Sequence, residues 1–323
     1  MTLDSQNMLQ VLKNFSAQCK EALGLPKGIS VPSDISNIVV IGMGGSAIGG
    51  DLLKAYLLGN GKVPVHVIRD YKVPKFVDEN TLVFAVSYSG NTEETLSALK
   101  DAQSKNAKII GVTSGGQLAA ECNKLIAIPK GLQPRAALGY LFFPMLGVLH
   151  NSSIIRVKNE ELNELVSVLN KFDSFNSLGE TIAKKIRDKT PIIYSSESLG
   201  PVAMRWKTQI NENAKMPAFY NVFSEMNHNE IAGYRGIGNN FTAVLIRDKH
   251  DNDRVKKRMD ICRQIMEQRI NVVEAETQGS SLLARMLSGI YLGDFVSYHL
   301  AMWNRIDPSP VEIIEAMKKK LAE

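Results

Sequence analysis

Apolar positions recur along this chain in two rhythms, one helical and one of short continuous runs. Over residues 5–22, Met8, Leu9, Val11, Leu12, Phe15 and Cys19 recur at helical spacing and predict one amphipathic helix. Short apolar runs follow at 35–42, 63–68, 81–86, 107–112 and 124–128, mostly separated by helical patterns. Runs of that length, apolar on both faces and alternating with helices, predict a parallel sheet covered on both sides. The pattern changes near residue 140. Helical stretches at 140–150 and 158–171 read as a connection, followed by a polar segment at 171–179. A second series of strand-like runs then begins at 190–194, 217–221, 241–246 and 271–274. The stretch 281–303 is apolar on nearly every side, which predicts a helix deeply buried or in a subunit contact. The expectation is an α/β chain with a first domain over 1–150, a helical connection over 151–180 and a second domain over 181–323. The apolar-to-hydroxyl turns at 38–46 and 192–198 match in organisation, as in a divergent duplication.

The most informative polar interruption is Ser87-Tyr-Ser-Gly-Asn-Thr-Glu-Glu-Thr95, between the run at 81–86 and a helical pattern at 96–103. It places Ser87, Ser89, Thr92 and Thr95 at the carboxyl end of a buried strand, where open α/β sheets bind ligands. Asn91 with Glu94 three residues on forms a capping-box pattern for the next helix. Free backbone N–H groups, a helix dipole and short hydroxyl donors together suit a phosphate on a small polar molecule. Most Ser/Thr/Gly turns are only turns; the clustering of four hydroxyls at this edge favours function.

A second turn, Gly42-Met-Gly-Gly-Ser46, follows the first strand directly and continues to Gly49-Gly50. Asp70 lies where a dinucleotide site would carry its acidic residue, but the glycines fit GxGGSxxGG and not GxGxxG. The better reading is a tight turn in which Ser46 and backbone N–H groups approach a sugar phosphate.

Composition narrows the classes. The chain has 323 residues, 44% hydrophobic and 22% charged, the balance of a globular protein large enough for two domains. No apolar stretch is long enough to span a bilayer, and no secretory signal is expected at the N-terminus. The cysteines Cys19, Cys122 and Cys262 lie far apart without CxxC pairing, which points to reduced thiols and a cytoplasmic location. The five histidines show no HxH or HxxxH spacing, so a structural or catalytic zinc site is not expected. The net charge of +5 favours an anionic small substrate. The basic runs 256–258 and 318–320 lack an aromatic platform or recognised motif, so neither nucleic acid nor membrane is expected as a partner.

The Gly42-to-Ser46 and Ser87-to-Thr95 turns together resemble the sugar isomerase (SIS) domain, a phosphosugar-binding module. Gln133-Pro-Arg-Ala-Ala137, Gln209-Ile-Asn-Glu-Asn-Ala-Lys215, Glu225-Met-Asn-His-Asn-Glu230, Asp307-Pro-Ser-Pro310 and Met317-Lys318, in that order, resemble one branch, the bifunctional phosphoglucose/phosphomannose isomerases. The likeness covers nearly the full length. It implies a homodimer of two-domain subunits, each domain a five-stranded parallel sheet of SIS type. It also implies interconversion of aldose and ketose 6-phosphates without metal or organic cofactor. Ser46, Ser87, Ser89 and Thr92 match its phosphate-binding positions, with Gly45 in the same turn. Arg135 matches the arginine beside the reacting carbons, and Glu212 the catalytic base. His228 matches a histidine supplied by the partner subunit. Lys318 matches a ring-opening lysine; Lys319 and Lys320 follow it, and the Met-Lys-x-x-Leu321 spacing favours Lys318. Ser309 matches a small hydroxyl residue that leaves room around C2.

These residue types also suit the chemistry on their own terms. Aldose–ketose isomerisation moves a proton between C1 and C2 through an enediol, and one carboxylate can take and return it. Glu212 lies near the end of a helix that Pro217 should terminate. A fixed cation at Arg135 can stabilise an enediolate. The alternatives are another phosphosugar isomerase, or a non-catalytic phosphosugar-binding regulator. The latter needs the hydroxyl loop but not Glu212, Arg135, His228 and Lys318 together. A metal-dependent phosphomannose isomerase is disfavoured by the missing ligand clusters.

Overall fold

The computed structural model describes residues 3–32 and 34–321. In chain order the elements are α1 (Met8–Lys13), α2 (Phe15–Gly24), β1 (Asn37–Ile41), α3 (Gly44–Asn60), β2 (Val65–Ile68), β3 (Thr81–Val86), α4 (Glu93–Ser104), β4 (Lys108–Thr113), α5 (Gly116–Glu121), β5 (Leu125–Ala127), α6 (Leu138–Asn151) and α7 (Asn159–Leu169). There follow α8 (Phe172–Ile186), β6 (Thr190–Ser196), α9 (Gly200–Ala214), β7 (Phe219–Phe223), β8 (Phe241–Arg247), α10 (Asp253–Glu267), β9 (Asn271–Glu276), α11 (Leu282–Trp303) and α12 (Glu312–Leu321). The alternation predicted from the apolar runs is the alternation observed.

By its contacts the chain divides into two compact units. The N-terminal unit comprises Asn14–Asn170 with Gly279–Ala284. Its five strands are all parallel, in the order β2-β1-β3-β4-β5. Every residue of β3 is buried, as expected of a central strand with helices on both faces. Val39, Ile41, Val83 and Ala85 meet Ala98, Leu99 and Ala102 of α4 in one core cluster. The chain turns one way from β1 to β2 and the other way to β3. The carboxyl ends of β1 and β3 are therefore adjacent with their loops diverging, the crevice where such sheets bind ligands.

The C-terminal unit comprises Lys171–Gln278, Arg285 onward and the described residues up to Lys13. Its sheet is also parallel, in the order β7-β6-β8-β9. This repeats the order of the first four strands of the other sheet, as the two matching turns suggested. The sheet has four strands among the described residues, not the five that the resemblance implied. After β9 the chain passes through Gly279–Ala284, counted with the N-terminal unit, into α11, which is apolar on nearly every side and buried over most of its length.

Three local expectations are corrected. The helix predicted over 5–22 is two helices, interrupted at Asn14; α1 belongs to one unit and α2 to the other. The polar stretch 171–179 is helical, its residues from Phe172 on forming the first half of α8, whose buried face includes Phe175, Gly179, Ile182 and Ile186. The capping box at Asn91 does not form. The N-cap of α4 is Thr92, and the Asn91 side chain instead accepts the N–H of Gln117 at 2.9 Å.

Candidate active site

In the N-terminal unit the two sequence turns meet. Ser46, in the first turn of α3, accepts the backbone N–H of Tyr88 at 3.3 Å, which ties the loop after β1 to the loop after β3. The second loop is fastened internally. Ser87 Oγ and Thr92 Oγ1 are 2.9 Å apart, the N–H of Gly90 reaches Ser87 Oγ at 3.1 Å, and the N–H of Asn91 reaches Ser89 Oγ at 3.3 Å. Gly90 has φ of +72°, and a Cβ there would meet the carbonyl oxygen of Gly115 at 1.8 Å, so only glycine fits. Ser46 and Ser87 are buried, Thr92 is half-buried and Ser89 is exposed. Thr95 Oγ1 is buried and has no hydrogen-bond partner among the described residues.

Arg135 reaches this edge from a 3-10 turn, Pro134–Ala136, and is buried. Gly45 lies against that turn: a Cβ at Gly45 would stand 3.1 Å from Cα of Arg135 and 3.2 Å from the carbonyl oxygen of Pro134. The glycine pattern that imitates a dinucleotide fingerprint is thus satisfied at Gly45 by packing α3 onto the arginine turn. Two residues passed over in the sequence hold the turn in place. The Tyr88 hydroxyl donates to the carbonyl of Pro129 and accepts from the N–H of Leu132, both at 2.9 Å. Gln18 of α2 donates to the carbonyl of Ala136 at 3.0 Å and accepts the N–H of Gly139 at 2.7 Å. The only sequence-level sign of Gln18 was a polar residue among the apolar positions of its helix. The unit thereby brings Gly45, Ser46, Ser87, Ser89, Thr92 and Arg135 to one strand edge, hydroxyls and a buried cation together.

The remaining candidates belong to the C-terminal unit. Glu212 lies in the last turn of α9, which ends as expected before Pro217. A ladder of buried polar groups fixes α9 against α11. Arg205 makes a bidentate pair with Asp294 at 3.1 and 2.9 Å, Gln209 donates to Asp294 at 3.0 Å, and Asn213 donates to Ser297 at 2.9 Å. Burial pushes the Asp294 carboxyl up, and the Arg205 guanidinium opposes it. Beyond the helix, Lys215 takes the left-handed conformation with φ of +53°. Its ammonium donates to the carbonyls of Glu212 at 2.8 Å and Asp307 at 3.0 Å. Ser309, two residues past Asp307, is wholly buried, and its N–H is held by the Asp307 carboxylate at 3.0 Å. Glu212, Lys215, Pro217, Asp307, Val311 and Ile314 help line a cavity of about 640 Å³.

His228 stands on a 3-10 turn, Glu225–His228, and is exposed. Its neighbours are spent on holding the turn. Met226 is buried, Asn227 donates to Cys262 Sγ at 2.8 Å, and Asn229 donates to Glu225 at 2.5 Å. Glu230 accepts from the buried Tyr194 hydroxyl and from Asn221, and the Tyr194 and Tyr234 hydroxyls are 2.8 Å apart. Burial, with the neighbouring phenol and carboxylate, pushes Tyr194 far up, and burial chiefly pushes Tyr234 up to about 12. Both phenols therefore stay protonated as donors. Lys318 is exposed on α12, as are Lys319 and Lys320. Among the described residues no cluster of three His, Cys, Asp or Glu side chains could hold a metal ion, and no helix is long and apolar enough to cross a membrane.

Comparison with known proteins identifies the family and the fold. Residues 33–142 match the SIS domain family model, and residues 175–321 match the bacterial phospho-glucose isomerase C-terminal SIS domain. A bifunctional phosphoglucose/phosphomannose isomerase of Caldicellulosiruptor bescii is 44% identical, over 98% of this chain and 99% of its own. One of Thermoplasma acidophilum is 42% identical, over 89% of this chain and 90% of its own. A D-glucosamine-6-phosphate 4-epimerase of Sulfolobus acidocaldarius is 41% identical over 66% of this chain and 70% of its own. Among solved structures, the C-terminal domain of glucosamine-fructose-6-phosphate aminotransferase from Francisella tularensis superposes with a TM-score of 0.74. It is 17% identical, covers 94% of this chain and 98% of its own, and so shows the fold alone. With two SIS domains in order and relatives of this identity along nearly all its length, the chain belongs to the bifunctional phosphoglucose/phosphomannose isomerase family.

Proposed function

We infer that the protein is an aldose–ketose isomerase that interconverts glucose 6-phosphate and mannose 6-phosphate with fructose 6-phosphate through an enediol. The observation that carries this is the union of the hydroxyl loop with the Arg135 turn at the β1/β3 edge, within a chain of this family. The substrate phosphate sits among Ser46, Ser87, Ser89 and Thr92, whose hydroxyls and neighbouring N–H groups donate to it. His228 and Lys318 exchange protons with the ring oxygen and the C1 hydroxyl as the ring opens. Glu212 takes the C2 proton of the open aldose and delivers it to C1. The carbonyl oxygen at C1 becomes a hydroxyl, and the C2 hydroxyl becomes the ketone. Arg135 stabilises the negative charge that develops on the oxygens between those states. Ser309 leaves room near C2 for either epimer.

The exposure of His228, on a turn whose neighbours are all anchored, supports its delivery to the site of a second copy in a homodimer. The chemistry needs no nucleotide and no metal ion, and it suits a cytoplasmic enzyme of central carbohydrate metabolism, in glycolysis or gluconeogenesis. A non-catalytic regulator would need the hydroxyl loop but would have no use for Glu212, Arg135, His228 and Lys318 together.

The test is to assay purified, EDTA-treated protein with glucose 6-phosphate, mannose 6-phosphate and, as a control, glucosamine 6-phosphate. Conversion of the first two to fructose 6-phosphate supports the assignment. Turnover that disappears on chelation and returns with zinc would overturn the mechanism. Binding without turnover would identify a regulator.

A further inference from the structure

We propose that Lys215 is a positioning residue that clamps the turn bearing Glu212 to the Asp307–Ser309 turn, and so fixes the base relative to the room left at C2. The proposal rests on the isomerase reading given above and deepens it.

The Lys215 ammonium is surrounded by main-chain carbonyls. Glu212 and Asp307 accept at 2.8 and 3.0 Å, and Asn213 and Pro308 stand at 3.5 Å. With two carbonyls at hydrogen-bond distance and two more at 3.5 Å, the ammonium is directed at the main chain of both turns, as a clamp requires. A lysine at a helix end commonly satisfies the last carbonyls and the negative end of the dipole. That role accounts for Glu212 and Asn213. It does not account for Asp307 and Pro308, which lie 92 and 93 residues further along the chain.

The conformation argues the same way. Lys215 is left-handed, where glycine is favoured after a helix. A long charged side chain at such a position is there for the contacts of its far end. Those contacts join two groups that otherwise have separate supports. Glu212 is placed by the Arg205–Asp294 ladder along α9. Ser309 is placed by the Asp307 carboxylate, which accepts its N–H. Burial raises the Asp307 carboxyl, but hydrogen bonds from Ser5 and Ser309 and the charge of Lys215 hold it below the usual range, so it stays an acceptor. Glu212, Lys215 and Asp307 all help line the same cavity. Without the clamp, both turns keep their own supports while the distance between them is free to vary.

Two substitutions separate this role from helix capping. Lys215→Met keeps the apolar stem and loses the charge. Lys215→Gly relieves the left-handed backbone, which offsets part of the loss of the ammonium's hydrogen bonds, so the fold should survive in both variants. Both should lower kcat for glucose 6-phosphate and mannose 6-phosphate by about tenfold or more, while KM changes little because the clamp touches none of the residues proposed to hold the phosphate. The ratio of the two aldoses first formed from fructose 6-phosphate should shift by about twofold or more. The clamp itself is read without activity, by amide hydrogen exchange. In Lys215→Gly, the Ser309 N–H should exchange about tenfold faster while the strands keep their protection. Unchanged exchange at Ser309 overturns the clamp, whatever the kinetics. Faster exchange with parental kcat and parental product ratio overturns the positioning role. A parent enzyme inactive on both sugars overturns the isomerase reading, and the positioning role with it, while the exchange result still decides the clamp.

Discussion

Gly45 touches the backbone of Arg135 so closely that a methyl group there would stand 3.1 Å from the arginine Cα. The neighbour is main chain, so the turn must move as a whole by a few tenths of an ångström. Gly45→Ala should therefore displace Arg135 relative to the hydroxyl loop without opening the core. We expect kcat/KM to fall by roughly 10- to 100-fold, mostly in kcat, with a small loss of melting temperature. A variant with parental kinetics would show that the close approach is packing alone.

The hydroxyl loop makes a separable contribution. Hydrogen bonds to a charged group are worth roughly 1.5–3 kcal/mol each. Ser87→Ala with Ser89→Ala and Thr92→Ala should raise KM for both aldose phosphates by about a hundredfold or more. The parent should use phosphate-free glucose very poorly. Ser87 and Thr92 also bond to each other, so their single substitutions will not add. Michaelis curves for the triple variant that overlay the parent would remove the loop from the site.

Much of this was legible in the sequence, and the reasons differ by level. The run at 81–86 is β3 residue for residue, because a strand buried on both faces leaves an unbroken apolar signal. The stretch 171–179 misled because α8 shows the core only one face, at Phe175 and Gly179, and the polar residues between them dominate the count. The break at Asn14 leaves apolar positions in phase on both sides, so periodicity cannot register it. At the candidate site, the meeting of Ser46 with the loop of Ser87 and Thr92 was legible because they sit in two short turns. Tyr88, Gln18 and Lys215 were not, because each acts on groups distant in the chain: Leu132, Ala136 and Asp307. Asn91 was read as a cap from local spacing, and a contact with Gln117 took it instead.

Stability in acid should carry the mark of Glu164. Its carboxylate accepts the N–H groups of Ser280 at 2.6 Å and Ser281 at 2.9 Å, just before α11 begins. Hydrogen bonds from Ser281 and Ser280 hold its pKa down to about 2. Since the folded value lies below the unfolded one, the contribution is complete above the usual carboxylate range. It is lost as pH falls from there towards 2. Glu164 is half-exposed, so the effect is about 0.3–1 kcal/mol. Urea midpoints of the parent and Glu164→Gln should differ at pH 7 and converge at low pH. A constant difference across that range would mean that the charge is not what caps the helix.

The proposed function has one site completed by two chains, and that proposal gives the sharpest test of the catalytic assignments. Glu212→Gln keeps the size of the base and removes its function. Its homodimer should lose roughly 10²–10⁴-fold in kcat for glucose 6-phosphate and mannose 6-phosphate together, with KM largely spared. His228→Ala homodimers should also be nearly inactive. When the two variants are mixed and subunits exchange, a heterodimer collects both lesions in one composite site and leaves the other site intact. Random exchange makes half the dimers mixed, so about a quarter of the parental activity should return. Recovered activity should use both sugars in the parental ratio, because the intact site holds a single base that serves a common enediol. If exchange is demonstrated and no activity returns, His228 acts within its own chain. If Glu212→Gln removes one activity and spares the other, the two epimers use different bases, and Glu212 cannot be the carboxylate that moves the C2 proton of both.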